Sequence, residues 1–132
     1  MIESIISMEL PAGGHLAIRR NRICPEQETK QCRRISLVSG IHGDELEGQY
    51  ICYETARRVK EHPEYLKGIV DIYPALNPLG IDMASRTVPR LDMDMNRMFP
   101  GDASGDMMER ITAAVVDSII GSDICMDLKH LL

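Results

Sequence analysis

The chain has 132 residues, of which 44% are hydrophobic and 27% charged, and this composition predicts a folded globular domain rather than a disordered segment. Its formal net charge is −5, and it contains one Phe and no Trp. A nucleic-acid-binding surface needs basic side chains and aromatic stacking platforms, so this composition argues against a nucleic-acid partner.

Residues 1–34 are predicted to form a short β-rich lead-in within a single domain that comprises residues 1–132. Two apolar stretches in it, residues 16–18 and 22–24, flank a polar centre. The next apolar run, residues 35–39, is followed by Gly40 and predicts a buried strand.

A helix is predicted to follow this strand, with Asp44 as its N-cap and its end before Pro63. Residues 68–76 are predicted to form the next strand. Strand, helix and strand in this order predict a βαβ unit with parallel strands and a right-handed crossover.

Residues 77–105 have no regular hydrophobic period but are rich in polar groups, which is typical of a functional loop. Ser104 or Asp106 is the predicted N-cap of a final helix that ends at Gly121. The core-facing stripe of this helix consists of Met108, Ile111, Val115 and Ile119. Residues 122–128 predict another buried strand, so the fold class is α/β.

Neither a membrane-spanning apolar run nor a signal-peptide pattern is present in this sequence, so we expect a cytoplasmic protein without a membrane partner.

The four cysteines of the chain have no CxxC spacing. Cys24 and Cys32 could pair across a hairpin, but reduced thiols in a cytoplasmic protein are the favoured interpretation.

The most informative motif is SGIHGDELEG at residues 39–48, where the first central strand is followed by the helix. Ligands of open α/β sheets bind at the carboxyl ends of the strands. His42 and Glu45 lie in this turn, and an imidazole and a carboxylate are suitable ligands for a catalytic zinc ion. Because HxxE is a short pattern, a surface turn with an incidental His and Glu is the alternative.

A second polar region extends from Asn77 to Gly101 and contains Arg86 and Arg97. Guanidinium groups bind carboxylates through paired hydrogen bonds and stabilise oxyanions. The alternatives are an ordinary turn at residues 77–78 and a salt bridge from Arg97 to a neighbouring aspartate, Asp92 or Asp94.

Four segments in one order carry a family resemblance: GIHGDELEG at 40–48, Asn-Pro at 77–78 leading to Arg86, DMNRMFPG at 94–101, and an apolar strand that ends in Asp-Leu at 127–128. From about residue 37 to residue 128, the chain resembles the succinylglutamate desuccinylase/aspartoacylase family of zinc carboxypeptidase-like hydrolases. The resemblance implies a mixed sheet flanked by helices.

The resemblance also implies roles for individual residues. His42 and Glu45 would bind Zn²⁺, and Arg86 would polarise the scissile carbonyl. Asn96 and Arg97 would hold the carboxylate of a small-molecule substrate.

The resemblance implies that Asp94 orients these side chains through hydrogen bonds without binding zinc itself. It also implies a third zinc ligand later in the chain. In the family, that ligand is a histidine directly after the Asp-Leu that ends the strand. Here Lys129 occupies that position and His130 follows it. Since neighbouring side chains of a strand point to opposite faces, the pattern favours a disrupted site over one that His130 completes.

The implied activity is zinc-dependent hydrolysis of an amide bond in an N-acyl amino acid or a similar small carboxylate. Family members are much longer, and no Glu of this sequence matches their catalytic base. The alternatives are a truncated, non-catalytic metal-binding or interaction remnant, and a zinc carboxypeptidase. We expect a domain truncated near Lys129 by a frameshift, or, in the rival interpretation, a sheet edge covered by formation of a homo-oligomer.

Overall fold

Five strands and three α-helices form the framework of the protein in a computed structural model that describes residues 1–27, 29 and 31–129. The strands are β1 (Ile2–Glu9), β2 (His15–Ile23), β3 (Arg34–Ser39), β4 (Ile69–Tyr73) and β5 (Ile124–Leu128). The helices are α1 (Glu47–Glu61), α2 (Pro78–Asp82) and α3 (Met107–Ile119).

All five strands belong to one mixed sheet with the order β1-β2-β4-β3-β5. β1 and β2 form an antiparallel hairpin, and β2 pairs antiparallel with β4. β3 lies between β4 and β5 and is parallel to both. The parallel β3–α1–β4 unit and the α/β fold class are therefore confirmed.

β3 is buried because its two faces pack against different helices. Leu37 faces a cluster that contains Cys52 of α1. Val38 faces the larger cluster, which contains Ile111 and Val115 of α3. Burial raises the pKa of the Cys52 thiol to about 11, so this cysteine behaves as an apolar core residue.

The lead-in is β-rich as predicted, and β2 is one continuous strand through its polar centre. Arg20 and Arg22 of this strand reach Asp71, whose side chain is fully buried in β4. Arg22 makes two hydrogen bonds of 2.7 Å to the Asp71 carboxylate, while Arg20 and Arg34 approach it to 3.7 Å. These hydrogen bonds raise the pKa of Arg22 despite the opposing effect of partial burial.

The predicted N-cap of α1 is wrong. Asp44 is exposed and lies three residues before Glu47, the first residue of the helix. Leu46 occupies the N-cap position and makes no side-chain capping bond. A turn in which the Glu45 N–H approaches the His42 carbonyl oxygen to 3.4 Å keeps residues 42–45 outside the helix. The end of α1 at Glu61, before Pro63, agrees with the prediction.

α3 begins with a complete capping box. The Asp106 carboxylate accepts hydrogen bonds from the N–H groups of Met108 and Glu109 at 2.9 and 3.0 Å. The Glu109 side chain accepts the Asp106 N–H at 2.9 Å. Of the two predicted candidates, Asp106 is therefore the N-cap, and Ser104 is not.

Replacing Asp106 with Ala should lower the free energy of unfolding by about 1 kcal/mol, because two N–H groups of the first turn lose their acceptor. Urea denaturation followed by circular dichroism measures this change. Ser104→Ala, two residues earlier, is the matched control and should have no measurable effect. Equal stability of the Asp106→Ala variant and the wild type would contradict the assignment.

β5 is an edge strand, and the prediction that it is buried is wrong. Ile124 and Met126 are 51% and 43% exposed. β5 pairs only with β3 among the described strands, and its last residue, Leu128, packs against the apolar cluster that contains Leu37 and Cys52.

None of the helices in the described ranges is long and apolar enough to span a membrane.

Candidate functional site

The turn after β3 is held in place by the segment around α2. Gly40 has a φ of +70°, and a Cβ atom on Gly43 would lie 2.0 Å from the backbone of Gly80. The Asn77 side chain accepts the Gly80 N–H at 2.9 Å and donates to the Ile41 carbonyl at 3.3 Å. Asn77 is thus a positioning residue for the turn, a role that its Asn-Pro motif alone did not reveal.

His42 is only 3% exposed and lies between two carboxylates. Its Nδ1 is 2.9 Å from Glu45 Oε1, and its Nε2 is 3.1 Å from Asp94 Oδ1. Partial burial opposes ionisation of Asp94, but hydrogen bonds from His42 and from the Asn96 N–H lower its pKa below the ordinary value. Asp94 is therefore ionised and can only accept hydrogen bonds.

The ionised Asp94 determines what the other side of the imidazole can bind. An imidazole that donates its Nε2 proton to Asp94 and has no second proton carries its lone pair on Nδ1, directly opposite the Glu45 carboxylate. Two electron-rich atoms 2.9 Å apart repel each other unless a proton or a cation lies between them. His42 Nδ1 and Glu45 Oε1 are thus a suitable donor pair for a cation, and Asp94 lies on the wrong side of the ring to join them.

Arg86 lies beside the carboxylate of Glu45. Its Nη1 is 3.6 Å from Glu45 Oε1, and its side chain is exposed. The guanidinium therefore lies beside the donor pair with most of its surface accessible to a ligand.

Asn96 and Arg97 lie in a single 3₁₀ turn, Met95–Arg97, that Asp94 caps. Asp94 Oδ1 accepts the Asn96 N–H at 3.0 Å, and Asp94 Oδ2 is 3.6 Å from Arg97 Nε. Arg97 is 84% exposed, so this ion pair is weak and leaves the guanidinium open to solvent. Asp94 thus links the turn that carries Asn96 and Arg97 to His42.

Lys129 occupies the position at which the family resemblance places the third metal ligand. Its Nζ donates to Asn96 Oδ1 at 2.9 Å and lies 3.1 Å from Asp127 Oδ2. A protonated amine has no lone pair, so Lys129 supplies no ligand in this state. His130, the other candidate, lies outside the described residues.

Within residues 1–27, 29 and 31–129, no three His, Cys, Asp or Glu side chains form a group suited to hold a metal ion. The described donors are therefore the pair His42 and Glu45. The contact of Lys129 with Asn96 has no signal in the sequence, because residues 33 positions apart meet only through the fold.

Comparison with known proteins gives a family match and similar structures. Residues 31–130 match the family model of the succinylglutamate desuccinylase/aspartoacylase catalytic domain. The chain is 33% identical over 93 residues to an N-alpha-acetyl-L-2,4-diaminobutyric acid deacetylase from Halomonas elongata, which covers 70% of this chain and 27% of that protein.

Two solved structures illustrate the likeness of the fold. A succinylglutamate desuccinylase/aspartoacylase from Rhodobacter sphaeroides superposes with a TM-score of 0.73 and 32% identity, over 89% of this chain and 34% of that one. A metallo-carboxypeptidase from Burkholderia cenocepacia gives a TM-score of 0.71 at 16% identity, over 99% of this chain and 36% of that one, and shows the fold alone. The chain thus spans about a third of the length of these proteins.

Proposed function

Because the chain belongs to the succinylglutamate desuccinylase/aspartoacylase family, a family of deacylating hydrolases, we propose that its site is part of a zinc-dependent amide hydrolase. The proposed substrate is an N-acyl amino acid or a similar small molecule with a free carboxylate. The observation that carries the proposal is the buried His42, with Glu45 at Nδ1 and the ionised Asp94 at Nε2.

When bound, zinc supplies a Lewis acid that polarises a carbonyl and lowers the pKa of a water molecule. His42 Nδ1 and Glu45 Oε1 would hold it, while Asp94 keeps the proton of His42 on Nε2. Arg86 would donate hydrogen bonds to the oxygen of the scissile amide as negative charge develops there. The described residues include no assigned general base.

The carboxylate-binding role belongs to Asn96 and Arg97. The exposed guanidinium of Arg97 supplies paired donors for a carboxylate, and its neighbour Asn96 supplies an amide. Asp94 would keep this turn at a defined position relative to His42, and thus the carboxylate at a defined distance from the reacting bond.

The proposed activity is tested by incubating the zinc-loaded protein with N-acetyl and N-succinyl amino acids and with carboxypeptidase peptide substrates. Release of the free amino acid from the acyl compounds, abolished by a chelator, is the expected result. Cleavage of the peptides alone would instead identify a zinc carboxypeptidase. Absence of hydrolysis at full zinc occupancy would contradict the proposal.

Arg97→Ala should lower kcat/KM about tenfold to a hundredfold for substrates with a free carboxylate, mainly through KM, because paired charged hydrogen bonds are lost. Substrates whose carboxylate is blocked as an amide should be hydrolysed at the wild-type rate. Arg110→Ala, which removes an exposed arginine from α3, is the matched control. An equal loss on both substrate classes would contradict the proposed role of Arg97.

A second candidate function, a metal-binding or interaction module without catalysis, is favoured by Lys129. Its ammonium lies against Asn96 and Asp127, where the family resemblance implies a zinc ligand. A protein that binds zinc but hydrolyses none of the acyl compounds would support this second function.

For the organisation of the chain, we propose one catalytic domain over residues 1–132 that includes the β-rich lead-in. The pairing of β2 with β4 supports this, because it joins the lead-in to the central sheet. A homo-oligomer is proposed as a further association, supported by the exposed apolar side chains Ile124 and Met126 of β5.

A further inference from the structure

The contact between Lys129 and Asn96 determines how the Asn96 amide is turned. Lys129 Nζ is 2.9 Å from Asn96 Oδ1, and an ammonium can only donate, so the amide atom in contact is the oxygen. The two N–H groups on Asn96 Nδ2 consequently point away from Lys129. Lys129 thus holds the amide with its donors available to an anion.

Lys129 also keeps a donor of its own. An ammonium has three N–H donors; Asn96 Oδ1 accepts one of them, and Asp127 is an ion-pair partner at 3.1 Å. The Lys129 side chain is 31% exposed and that of Asp127 is 36% exposed, so their ion pair is partly solvated and weak. A ligand can therefore reach the ammonium at little cost.

Two cationic residues neighbour Asn96, one along the chain and one through the fold. Arg97 follows it in the chain with a largely exposed guanidinium, and Lys129 contacts its side chain. A single carboxylate can use Arg97 and the Asn96 amide, which leaves the Lys129 ammonium for a second negative group. Two cations separated by an amide donor match a molecule with two carboxylates better than a molecule with one.

We propose that Lys129 is a specificity-determining residue that makes this site selective for small dicarboxylates. One carboxylate binds Arg97 and the Asn96 amide, and the other binds Lys129. The proposal rests on the carboxylate-binding role proposed above for Asn96 and Arg97, but it requires neither a bound metal nor hydrolysis.

The test is equilibrium binding of succinate and acetate to the metal-free protein, measured by calorimetry at constant ionic strength. The wild type should bind succinate about tenfold more tightly than acetate, since the second carboxylate gains a charged hydrogen bond. Lys129→Met should lose this preference, with a smaller loss of acetate affinity because the Asn96 amide is no longer oriented, and Lys129→Arg should retain the preference. Lys60→Met, which removes an exposed lysine of α1, is the matched control.

Asp127→Asn provides a second, independent test. It removes the charge that competes for Lys129, so succinate affinity should rise about threefold while acetate affinity stays constant. This variant keeps the proposal testable even if Lys129→Met fails to fold, which circular dichroism would reveal.

Equal affinities for succinate and acetate, or a succinate preference that persists in Lys129→Met, would overturn the proposal, as would no binding of either anion. Because the binding assay contains no metal and no scissile amide, its outcome is separate from that of the hydrolysis assay. Loss of succinate preference in Lys129→Met with no hydrolysis in the wild type would keep this proposal and overturn the proposed activity.

Discussion

Asp71→Asn is expected to lower the free energy of unfolding by about 3–5 kcal/mol, the cost of leaving buried charges without their partner. The Asp71 side chain is fully buried, and three arginines surround it. Asn has the same shape but no charge, and its amide group cannot accept both hydrogen bonds that Arg22 donates. Three guanidinium groups would then share this space without the carboxylate.

Urea denaturation of the wild type and the Asp71→Asn variant measures this loss. Asp117→Asn, the same substitution at an exposed position of α3, is the matched control and should stay within about 0.5 kcal/mol of the wild type. A loss below about 1 kcal/mol in Asp71→Asn would mean that water or rearranged arginines replace the carboxylate. The Asp71 carboxylate would then not be needed to compensate the positive charge of the three arginines in the sheet.

His42→Ala is expected to abolish zinc binding, because it removes one of the two described donors and leaves Glu45 alone. The wild type should bind about one zinc ion per chain, measured by atomic emission after dialysis. Asp94→Asn should weaken the affinity by a smaller factor, about tenfold to a hundredfold, since Asp94 orients His42 without touching the metal.

His62→Ala is the matched control for zinc binding. His62 is exposed in the segment after α1, and its only described carboxylate neighbour is Glu64 at 3.3 Å. Its replacement should leave the zinc content unchanged. Equal zinc content in His42→Ala and the wild type would contradict the proposed site, and a metal-free wild type would show that the pair His42 and Glu45 does not suffice.

The predictions that succeeded rest on local sequence patterns. Ile35–Ser39 is apolar throughout because β3 is covered on both faces, and such runs are visible without a structure. The end of α1 before Pro63 and the cap of α3 at Asp106 depend on atoms a few residues apart. The motif at residues 39–48 likewise placed a turn with His42 and Glu45 at the carboxyl end of β3, and that this turn binds a ligand stays a prediction.

The predictions that failed depended on neighbours that are distant in the chain. Asp44 has the chemistry of an N-cap, but it lies in a turn whose Gly43 N–H is hydrogen-bonded to the distant Ser85 carbonyl, and the helix begins only at Glu47. Residues 122–128 are apolar enough for a buried strand, yet β5 lies at the edge of the sheet. An apolar run shows that a strand can be buried, but not whether anything covers it.

The sequence by itself determined the βαβ order, the family and the candidate residues of the turn, because hydrophobic periods and short motifs act over neighbouring residues. Only the tertiary structure decided that three arginines of two strands share Asp71, and that Lys129 turns the amide of Asn96. Both arrangements join a charged side chain to a partner that is distant in the chain. Such electrostatic interactions depend on the distance between the side chains in space, and the separation of two residues in the sequence does not give that distance.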